Sequence, residues 1–368
     1  MAVPRIAVIG GDGIGPEVID QAVRVASAAL RHDNAAVEWN KLPWSGAYYQ
    51  QTGRIMPADG WEVLRRHDAV LLGAIGHPDV PDHITLHGLL LPMRRLFDQY
   101  VNLRPAYLFE GVPSPLCDRD AKTGDLRAKP AGAIDMLVYR ENTEGEYAPV
   151  GGRLYQGTPN EVAIQTNVFT RRGCERIMRA AFEGARKRRR KKLTSITKSN
   201  AQQFGMVLWD EVFEAVKKDY PDVETGKLLV DAAAMDFVRK PEAFDVVVAS
   251  NLFGDILTDL SAIITGSMGL AASANINPER EYPSMFEPVH GSAPDIAGKG
   301  LANPIGAIWS GALMLRHIGE EDAAARIETA IERVAAAGIL TRELGGKAGT
   351  SEVGDAIAAE VRRQTPSR

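Results

Sequence analysis

Short apolar segments alternate with longer helical patterns along most of the chain, and this alternation limits the fold more than any other feature. Residues 5–9 form an apolar run, and residues 16–30 repeat apolar side chains at helical spacing. Further runs that predict buried strands lie at residues 69–72, 134–138, 193–197, 228–230 and 246–249. Strands that are separated by helices predict an α/β fold.

Other segments are more helical or irregular. Residues 307–317, 321–337 and 354–363 carry apolar side chains at three- and four-residue spacing, which predicts three helices. Residues 112–130 are rich in Pro, Asp and Lys and predict an exposed loop. Residues 151–170 alternate in character, which indicates either an arm that reaches a partner subunit or an ordinary surface hairpin.

Composition narrows the class of protein. The chain has 368 residues, which predicts two domains, and its formal net charge of -4 gives no support for nucleic acid as a partner. We interpret the basic run at residues 186–192 as the solvated end of a helix rather than a nucleic-acid site. No apolar stretch is long enough to span a bilayer, the first residues lack a leader pattern, and two cysteines make no disulfide framework. We therefore expect a cytoplasmic protein without a membrane or nucleic-acid partner.

A glycine-rich turn follows the first predicted strand, where a dinucleotide fingerprint would lie. Counting from Gly11, the pattern G-x-G-x-x-G is met at Gly13 but fails at Pro16. We therefore predict that a nicotinamide cofactor, if one binds, is held by another device.

Three carboxylates are candidate metal ligands. Asp255 and Asp259 are four residues apart, which places both on one face of a helix predicted to begin near Asp255, after a turn at residues 251–254. Mg²⁺ or Mn²⁺ would relieve their repulsion, but taken alone the pair is better explained as a helix N-cap and a first-turn carboxylate. Asp231, at the end of the strand predicted at residues 228–230, could complete a metal site, although a turn aspartate is the commoner explanation.

Five longer motifs occur in a fixed order and carry a family resemblance. They are Asn102-Leu-Arg-Pro105, Tyr139-Arg-Glu-Asn-Thr-Glu-Gly-Glu-Tyr147, Thr197-Lys-Ser-Asn200, Asn251-Leu-Phe-Gly-Asp255 and Phe286-Glu-Pro-Val-His-Gly-Ser-Ala-Pro-Asp295. With the glycine-rich turn, they resemble the isocitrate/isopropylmalate dehydrogenase family, and within it the tartrate and D-malate branch. The resemblance implies a two-domain α/β fold with a large mixed sheet flanked by helices, and not a Rossmann fold.

The resemblance implies a reaction and a role for several polar residues. Family substrates are 2-hydroxy dicarboxylates, which NAD⁺ oxidises with the help of a divalent metal before the far carboxylate leaves as CO₂. The implied metal ligands are Asp231, Asp255 and Asp259, with Mn²⁺ or Mg²⁺ as the ion and room for a monovalent cation such as K⁺. Lys198 would help to remove the hydroxyl proton, Tyr147 would be the acid of the later steps, and Asp231 would belong to the same catalytic group.

The resemblance also implies how substrate and cofactor are bound. Arg94, Arg104 and Arg140 would clamp the two carboxylates, with Asn200 and Leu90 as further substrate contacts. The implied cofactor residues are Gly73, Ala74, Ile75 and Glu287 near the nicotinamide, and His290, Gly291, Ser292, Ala293, Asp295, Ile296 and Asn303 near the adenosine. An acidic residue at Asp295 can accept from ribose hydroxyls and would repel a 2′-phosphate, which favours NAD over NADP.

The choice of substrate depends on the helix before Arg94. The serine and asparagine of isocitrate users are absent there, and Gly88 and Leu90 stand in their place, so isocitrate is not expected. D-malate or tartrate is favoured by several motifs, but His87-Gly-Leu89 departs from that branch. A leucine run at residues 89–91 would also suit the isopropyl group of 3-isopropylmalate, which is the alternative substrate.

The resemblance finally implies a division into domains and a homodimer. We expect residues 1–107 and 264–368 to form a cofactor-binding domain, and residues 108–263 to form a substrate, metal and dimerisation domain with the arm near 151–170. In the family, the equivalents of Lys198 and Asp231 are donated across the dimer interface. We therefore expect homodimers with shared active sites.

Overall fold

The computed structural model describes residues 3–119 and 125–364, so the centre of the predicted loop at 112–130 lies outside the described residues. Within the described part, ten strands form one mixed sheet that is flanked by helices, which confirms the predicted fold. The strands are β1 Arg5–Gly11, β2 Glu38–Lys41, β3 Ala69–Ala74, β4 Val101–Tyr107, β5 Cys117–Arg119, β6 Leu126–Ala128, β7 Asp135–Glu141, β8 Gly151–Leu154, β9 Val162–Gln165, β10 Lys192–Thr197, β11 Glu224–Leu229, β12 Val246–Ala249, β13 Ala272–Ile276 and β14 Ser284–Pro288. The helices are α1 Gly15–His32, α2 Gly46–Thr52, α3 Gly60–Arg65, α4 Asp82–Thr85, α5 Leu91–Leu96, α6 Arg171–Lys187, α7 Gly205–Val216, α8 Val230–Arg239, α9 Asn251–Ile264, α10 Ile305–Ile318, α11 Glu321–Ala336 and α12 Thr350–Arg363.

The first of two compact units comprises the described residues within 1–99, 104–135 and 261–368. In the ten-stranded sheet it contributes the run β13-β14-β3-β1-β2, and within this run only the β13–β14 pair is antiparallel. Because β1, β3 and β14 run in parallel, their carboxyl ends lie at one edge of the sheet, where Gly11 is paired with Ala74. Helix α10, buried along most of its length, packs against β14 and α1. The first unit therefore presents the glycine-rich turn and the predicted cofactor segments at the same edge.

The second unit comprises residues 100–103 and 136–260. In the ten-stranded sheet it contributes the run β11-β10-β12-β7, whose neighbouring strands are parallel. Thr197 is paired with Leu229, and Ala249 with Arg140, so the residues that follow β10, β11 and β12 emerge at one edge. Parallel pairing therefore explains why motifs far apart in sequence reach the same edge of this unit.

The predicted domain boundary is wrong for residues 108–135. The described residues of this range belong to the first unit, although they were predicted to lie in the second domain. Ser114 Oγ donates to the carbonyl of Ile264 at 2.7 Å, and the Phe109 ring lies 5.2 Å from the Trp309 ring. Part of the predicted loop is the antiparallel pair β5–β6. Burial of aromatic side chains such as Phe109 fixes this segment to the first unit, and such contacts leave no periodic signal in the sequence.

Two local predictions about acidic residues are also wrong. Helix α9 begins at Asn251, not near Asp255, because the Glu146 carboxylate accepts from the Leu252 N–H at 3.1 Å and satisfies the helix start. Asp231 does not end a strand but lies in the first turn of α8, since β11 ends at Leu229. Asp255 is therefore inside a helix and is not its N-cap.

The two segments with open interpretations are now described. Strands β8 and β9 pair in an antiparallel hairpin whose strand residues are all exposed, so the segment near 151–170 is a surface hairpin in the single chain. In the basic run, Arg186 pairs with Asp222 at 2.7 Å and Arg188 contacts Asp245. Helix α6 ends at Lys187, as the interpretation of a helix end requires. No helix in the described part of the chain is long and apolar enough to cross a membrane.

Candidate active site

A carboxylate, a phenol and a guanidinium meet in the second unit. The Tyr147 hydroxyl donates to Asp255 Oδ2 at 2.8 Å, and Arg140 forms an ion pair with the other oxygen of Asp255. The Arg140 guanidinium also lies 5.3 Å from the centre of the Tyr147 ring. Asp255 is one third exposed and Arg140 is buried. The structure thus brings together one residue from each predicted class: acid, metal ligand and substrate arginine.

The loop before Tyr147 owes its shape to three glutamates of the same motif. Glu141 accepts from the N–H of Thr143 and from the N–H of Glu144, both at 2.9 Å, and burial raises the pKa of its carboxyl. Glu144 accepts from Thr170, and Glu146 accepts from Ser250 Oγ at 2.8 Å. Glu146 thus holds the loop against the start of α9, and Glu144 holds it against the N-cap of α6, which positions Tyr147 beside Asp255.

A second pair lies at the carboxyl ends of β10 and β11. Lys198 Nζ donates to Asp231 Oδ1 at 2.7 Å, and this hydrogen bond lowers the pKa of the Asp231 carboxyl. Asp231 is exposed, and Asn200 lies exposed in the turn that follows Lys198. Among the residues that the structure describes, no three His, Cys, Asp or Glu side chains are arranged to hold a metal ion. A single chain thus does not assemble the predicted set of Asp231, Asp255 and Asp259.

The helical segment before Arg94 contains one π-helical turn, Leu86–Leu90, between α4 and α5. Pro92 has no N–H, so it cannot donate back to Gly88, and the Leu91 N–H instead donates to the Leu86 carbonyl. Leu89 is fully buried in the core, whereas Leu90 is only partly buried. Leu90 and Arg94 are four residues apart in a helical segment and share a face. This placement is compatible with the predicted substrate contact at Leu90.

Arg94 is held by a residue that was predicted for the cofactor. Its Nη2 donates to Glu287 Oε1 at 2.9 Å, and both side chains are at least 90% buried. Asn275 Nδ2 donates to the same Glu287 oxygen at 2.9 Å. Arg104, the other predicted substrate arginine of this unit, lies in β4 and is buried. Arg94 and Glu287 were predicted to have separate roles, and in the structure they form an ion pair.

A cavity of about 490 Å³ in the first unit is lined by four of the predicted adenosine residues. The predicted members are His290, Ala293, Ile296 and Asn303, and the further lining residues are Ile14, Ser267, Met268, Gly269, Leu301, Ala302, Arg342 and Glu343. Asp295 is not among them, and its side chain is exposed. The walls are mostly apolar, as suits an adenine ring.

One lining residue of this cavity, His290, has a ring nitrogen without a hydrogen-bond partner among the described residues. Its Nδ1 lies 3.0 Å from the Gly291 carbonyl, which can only accept, so Nδ1 carries the proton. Burial lowers the pKa of His290 and keeps the ring neutral. Nε2 is buried, and no hydrogen-bond partner for it lies among the described residues. It is therefore an acceptor without a donor.

The glycine-rich turn packs closely against protein backbone at Gly11 and Gly13. A Cβ at Gly11 would lie 1.9 Å from the Ala74 carbonyl oxygen, and one at Gly13 would lie 1.9 Å from the Ser292 carbonyl oxygen. Gly73 likewise allows close contact with the backbone of Gly10. These glycines serve internal packing, in agreement with the failed fingerprint.

Sequence reasoning missed several residues that shape the site. Asn251 Oδ1 accepts from two nitrogens of Arg140, at 3.0 and 2.8 Å, and Asn275 supports Glu287. Asp12, between two glycines, accepts three backbone hydrogen bonds. A polar residue directly after a buried strand was the signal for Asp12, and the first position of a motif was the signal for Asn251.

Comparison with known proteins gives consistent matches. The family model described as isocitrate/isopropylmalate dehydrogenase matches residues 5–357. A D-malate dehydrogenase (decarboxylating) of Escherichia coli strain K12 is 52% identical, over 99% of this chain and 100% of that protein. A tartrate dehydrogenase/decarboxylase of Pseudomonas putida is 51% identical, over 98% of both chains. The crystal structure of isocitrate dehydrogenase from Methylococcus capsulatus has a TM-score of 0.86 at 37% identity, over 98% of this chain and all of that one.

Proposed function

Since the chain belongs to the isocitrate/isopropylmalate dehydrogenase family and is a decarboxylating dehydrogenase, we propose that it oxidises and β-decarboxylates D-malate, tartrate or both. We further propose NAD⁺ as the oxidant and Mn²⁺ or Mg²⁺ as the metal. The observation that carries the proposal is the contact of Tyr147 and Arg140 with the two oxygens of Asp255. The side chains that we propose as acid, substrate clamp and metal ligand are thus in direct contact, which supports the proposal.

The donor set of the second unit fits a hard divalent cation. Asp255 and Asp259 lie on one face of α9 and are both at least partly exposed. Mg²⁺ commonly takes one or two carboxylates from a protein and completes its shell with water and substrate oxygens. In the proposed homodimer, Asp231 of the other subunit supplies a third carboxylate.

The cavity in the first unit fits the adenosine of NAD⁺. An adenine amino group or a ribose hydroxyl can donate to the buried His290 Nε2, whereas nothing in the described protein does so. Residues 73–76 and Glu287 are proposed to receive the nicotinamide end. Asp295 is proposed to disfavour a 2′-phosphate through its charge.

In the proposed mechanism, the chain's own residues bind substrate and move protons. When bound, the metal would polarise the substrate's hydroxyl and carboxylate oxygens, and NAD⁺ would accept the hydride. Arg94, Arg104 and Arg140 hold the two carboxylates. Lys198 takes up the hydroxyl proton, directly or through water, and Tyr147 delivers a proton to the enol carbon after CO₂ has left.

Arg140 and Tyr147 are engaged with Asp255 in the single chain, so their roles require an exchange of partners. Arg140 can turn from Asp255 to a substrate carboxylate while Asn251 still fixes its other nitrogens. The Tyr147 phenol is 37% exposed and can reach a substrate carbon from the same position. In the single chain, Asp255 is therefore paired with the two groups that would contact the substrate in the proposed complex.

Leu90 and the names of the relatives support D-malate and tartrate over 3-isopropylmalate. Leu90 already packs partly against the core, which reduces the apolar surface left for an isopropyl group. The relatives at 51–52% identity are named for D-malate and tartrate. Two free cysteines, exposed Cys117 and buried Cys174, support the proposed cytoplasmic location.

The proposal is tested by NADH production on D-malate, tartrate, 3-isopropylmalate and isocitrate, each with Mn²⁺ and with a chelator in its place. We expect the highest kcat/KM on D-malate or tartrate and no turnover with the chelator. A clear preference for 3-isopropylmalate would replace the proposed substrate but keep the reaction class. No NADH with any of the four acids would refute the proposed reaction.

The shared site has a separate test. Lys198→Ala and Tyr147→Phe subunits, each inactive in its own homodimer, are mixed and allowed to exchange. If Lys198 and Tyr147 of different subunits serve one site, mixed dimers regain part of the activity, since one of their two sites is intact. Subunit exchange that is verified by mass spectrometry but restores no activity would contradict shared sites.

A further inference from the structure

The turn that follows β1 is bonded to both segments that are proposed to hold the cofactor. The Asp12 N–H donates to the Ala74 carbonyl at 2.7 Å, and the Ile14 N–H donates to the Ser292 carbonyl at 2.8 Å. Ala74 belongs to the segment proposed for the nicotinamide, and Ser292 to the loop proposed for the adenosine. A displacement of this turn would therefore disturb both ends of the cofactor site.

The Asp12 carboxylate accepts three backbone hydrogen bonds. Its Oδ2 accepts from the Gly46 N–H at 3.0 Å and from the Gly76 N–H at 3.1 Å, and its Oδ1 accepts from the Ala47 N–H at 3.3 Å. The residue is 4% exposed. A carboxylate is retained at such depth only if hydrogen bonds replace its hydration, and three backbone donors do so here.

Gly76 needs this restraint. It adopts φ of +144°, a conformation that glycine alone visits freely, so the local backbone does not fix the end of the turn. A Cβ at Gly76 would lie 3.3 Å from Ser292 Oγ, which shows that the adenosine loop closes the other side. The Gly76 peptide is therefore held between the Asp12 carboxylate and the loop at Ser292.

We propose that Asp12 is a positioning residue for the nicotinamide cofactor. It does not touch the cofactor but holds residues 73–76 in the conformation that receives the nicotinamide end, through the Gly76 N–H. Gly46 and Ala47 are the first residues of α2, and their N–H groups donate to the same carboxylate. Asp12 therefore links the turn at residues 73–76 to a helix. This inference rests on the proposed use of NAD⁺.

The test compares Asp12→Asn with a control at the opposite end of β1. Asn has nearly the same shape, but it offers one acceptor oxygen and turns an NH₂ group toward backbone donors. The control is Asp68→Asn, because Asp68 Oδ2 also accepts a backbone N–H, that of Arg5 at 2.7 Å, far from the proposed cofactor segments. Full-length proteins are assayed for NADH binding by fluorescence, for the KM of NAD⁺ and of D-malate, and for backbone amide exchange at residues 73–76.

We expect Asp12→Asn to raise the NADH Kd and the KM for NAD⁺ by about tenfold or more, which corresponds to about 1.4 kcal/mol of binding free energy. The D-malate KM should stay within about twofold at saturating NAD⁺, and amide exchange at residues 73–76 should become faster. Asp68→Asn should lower the thermal midpoint and leave NADH binding unchanged. If Asp12→Asn does not fold, Asp12→Ser removes the charge without opposing donors and carries the same expectations.

Wild-type NADH affinity in the folded Asp12 variant would overturn the inference, as would equal weakening by the Asp12 and Asp68 variants, because Asp12 would then act on stability alone. A failure of the proposed reaction has a different signature, namely a wild-type protein that binds NADH but oxidises none of the four acids. Wild-type protein that binds no NADH would overturn both proposals.

Discussion

The buried ion pair between Arg94 and Glu287 should contribute measurably to the free energy of unfolding. The perturbation is Arg94→Met, which keeps most of the side-chain volume and removes the charge. Glu287 is then left 90% buried, with the Asn275 amide at 2.9 Å as its remaining side-chain donor in the described contacts. A carboxylate in that position has lost both its counter-charge and its hydration.

The expected cost follows from burial and distance. Two unit charges about 4 Å apart attract by about 4 kcal/mol at an effective dielectric constant of about 20. Removing one partner of a buried pair costs about 3–5 kcal/mol, because the other charge stays buried. Since Asn275 still donates to Glu287, we expect the lower end, about 3 kcal/mol of the free energy of unfolding. The double variant Arg94→Met/Glu287→Gln removes both charges and should cost about 1 kcal/mol.

The assay is urea unfolding of the wild type, both single variants and the double variant at one pH. The matched control is Lys41→Met, because the Lys41–Asp20 pair has a similar 2.9 Å separation but side chains that are 71% and 59% exposed. That control should change stability by less than about 1 kcal/mol. A cost below about 1 kcal/mol for Arg94→Met, or strict additivity in the double variant, would refute the reasoning.

Two further predictions concern catalysis and pH. Tyr147→Phe removes the proposed acid and one donor to Asp255, so kcat measured from NADH production should fall by about 10²–10⁴-fold with little change in the D-malate KM. If kcat falls by less than about tenfold, Tyr147 is not the acid. Burial, with the charge of Arg280, lowers the pKa of His317 to about 4 from 6.5. Between pH 6.5 and 4, His317 is therefore protonated in the unfolded chain but not in the folded chain. Because the unfolded state binds the extra proton, the free energy of unfolding should fall over this range, by up to about 3 kcal/mol from His317. His317→Gln should flatten that decline in urea unfolding, and an unchanged slope would contradict it.

The sequence predicted elements where one local rule dominated. The apolar run after residue 4 is β1, and the helical spacing that follows is α1, which begins at Gly15 with Pro16 in its first turn. Predictions failed where a distant group decided a boundary. Helix α9 begins at Asn251 because Glu146, more than a hundred residues earlier, accepts the Leu252 N–H. The helix propensities of residues 251–255 do not reveal this contact with Glu146, so they do not predict where the helix begins.

The sequence by itself determined the family, the reaction class and the residue types of the candidate site, because the motifs and their order can be read without the structure. Only the tertiary structure decided which of these residues contact one another. Arg94 meets Glu287 across 193 positions, and Tyr147 meets Asp255 across 108. It also decided that Asp12 holds the Gly76 peptide, since the turn after β1 and the turn after β3 meet only when the strands pair in parallel. Strand pairing brings distant residues to one edge, and no local pattern encodes which strand lies beside which.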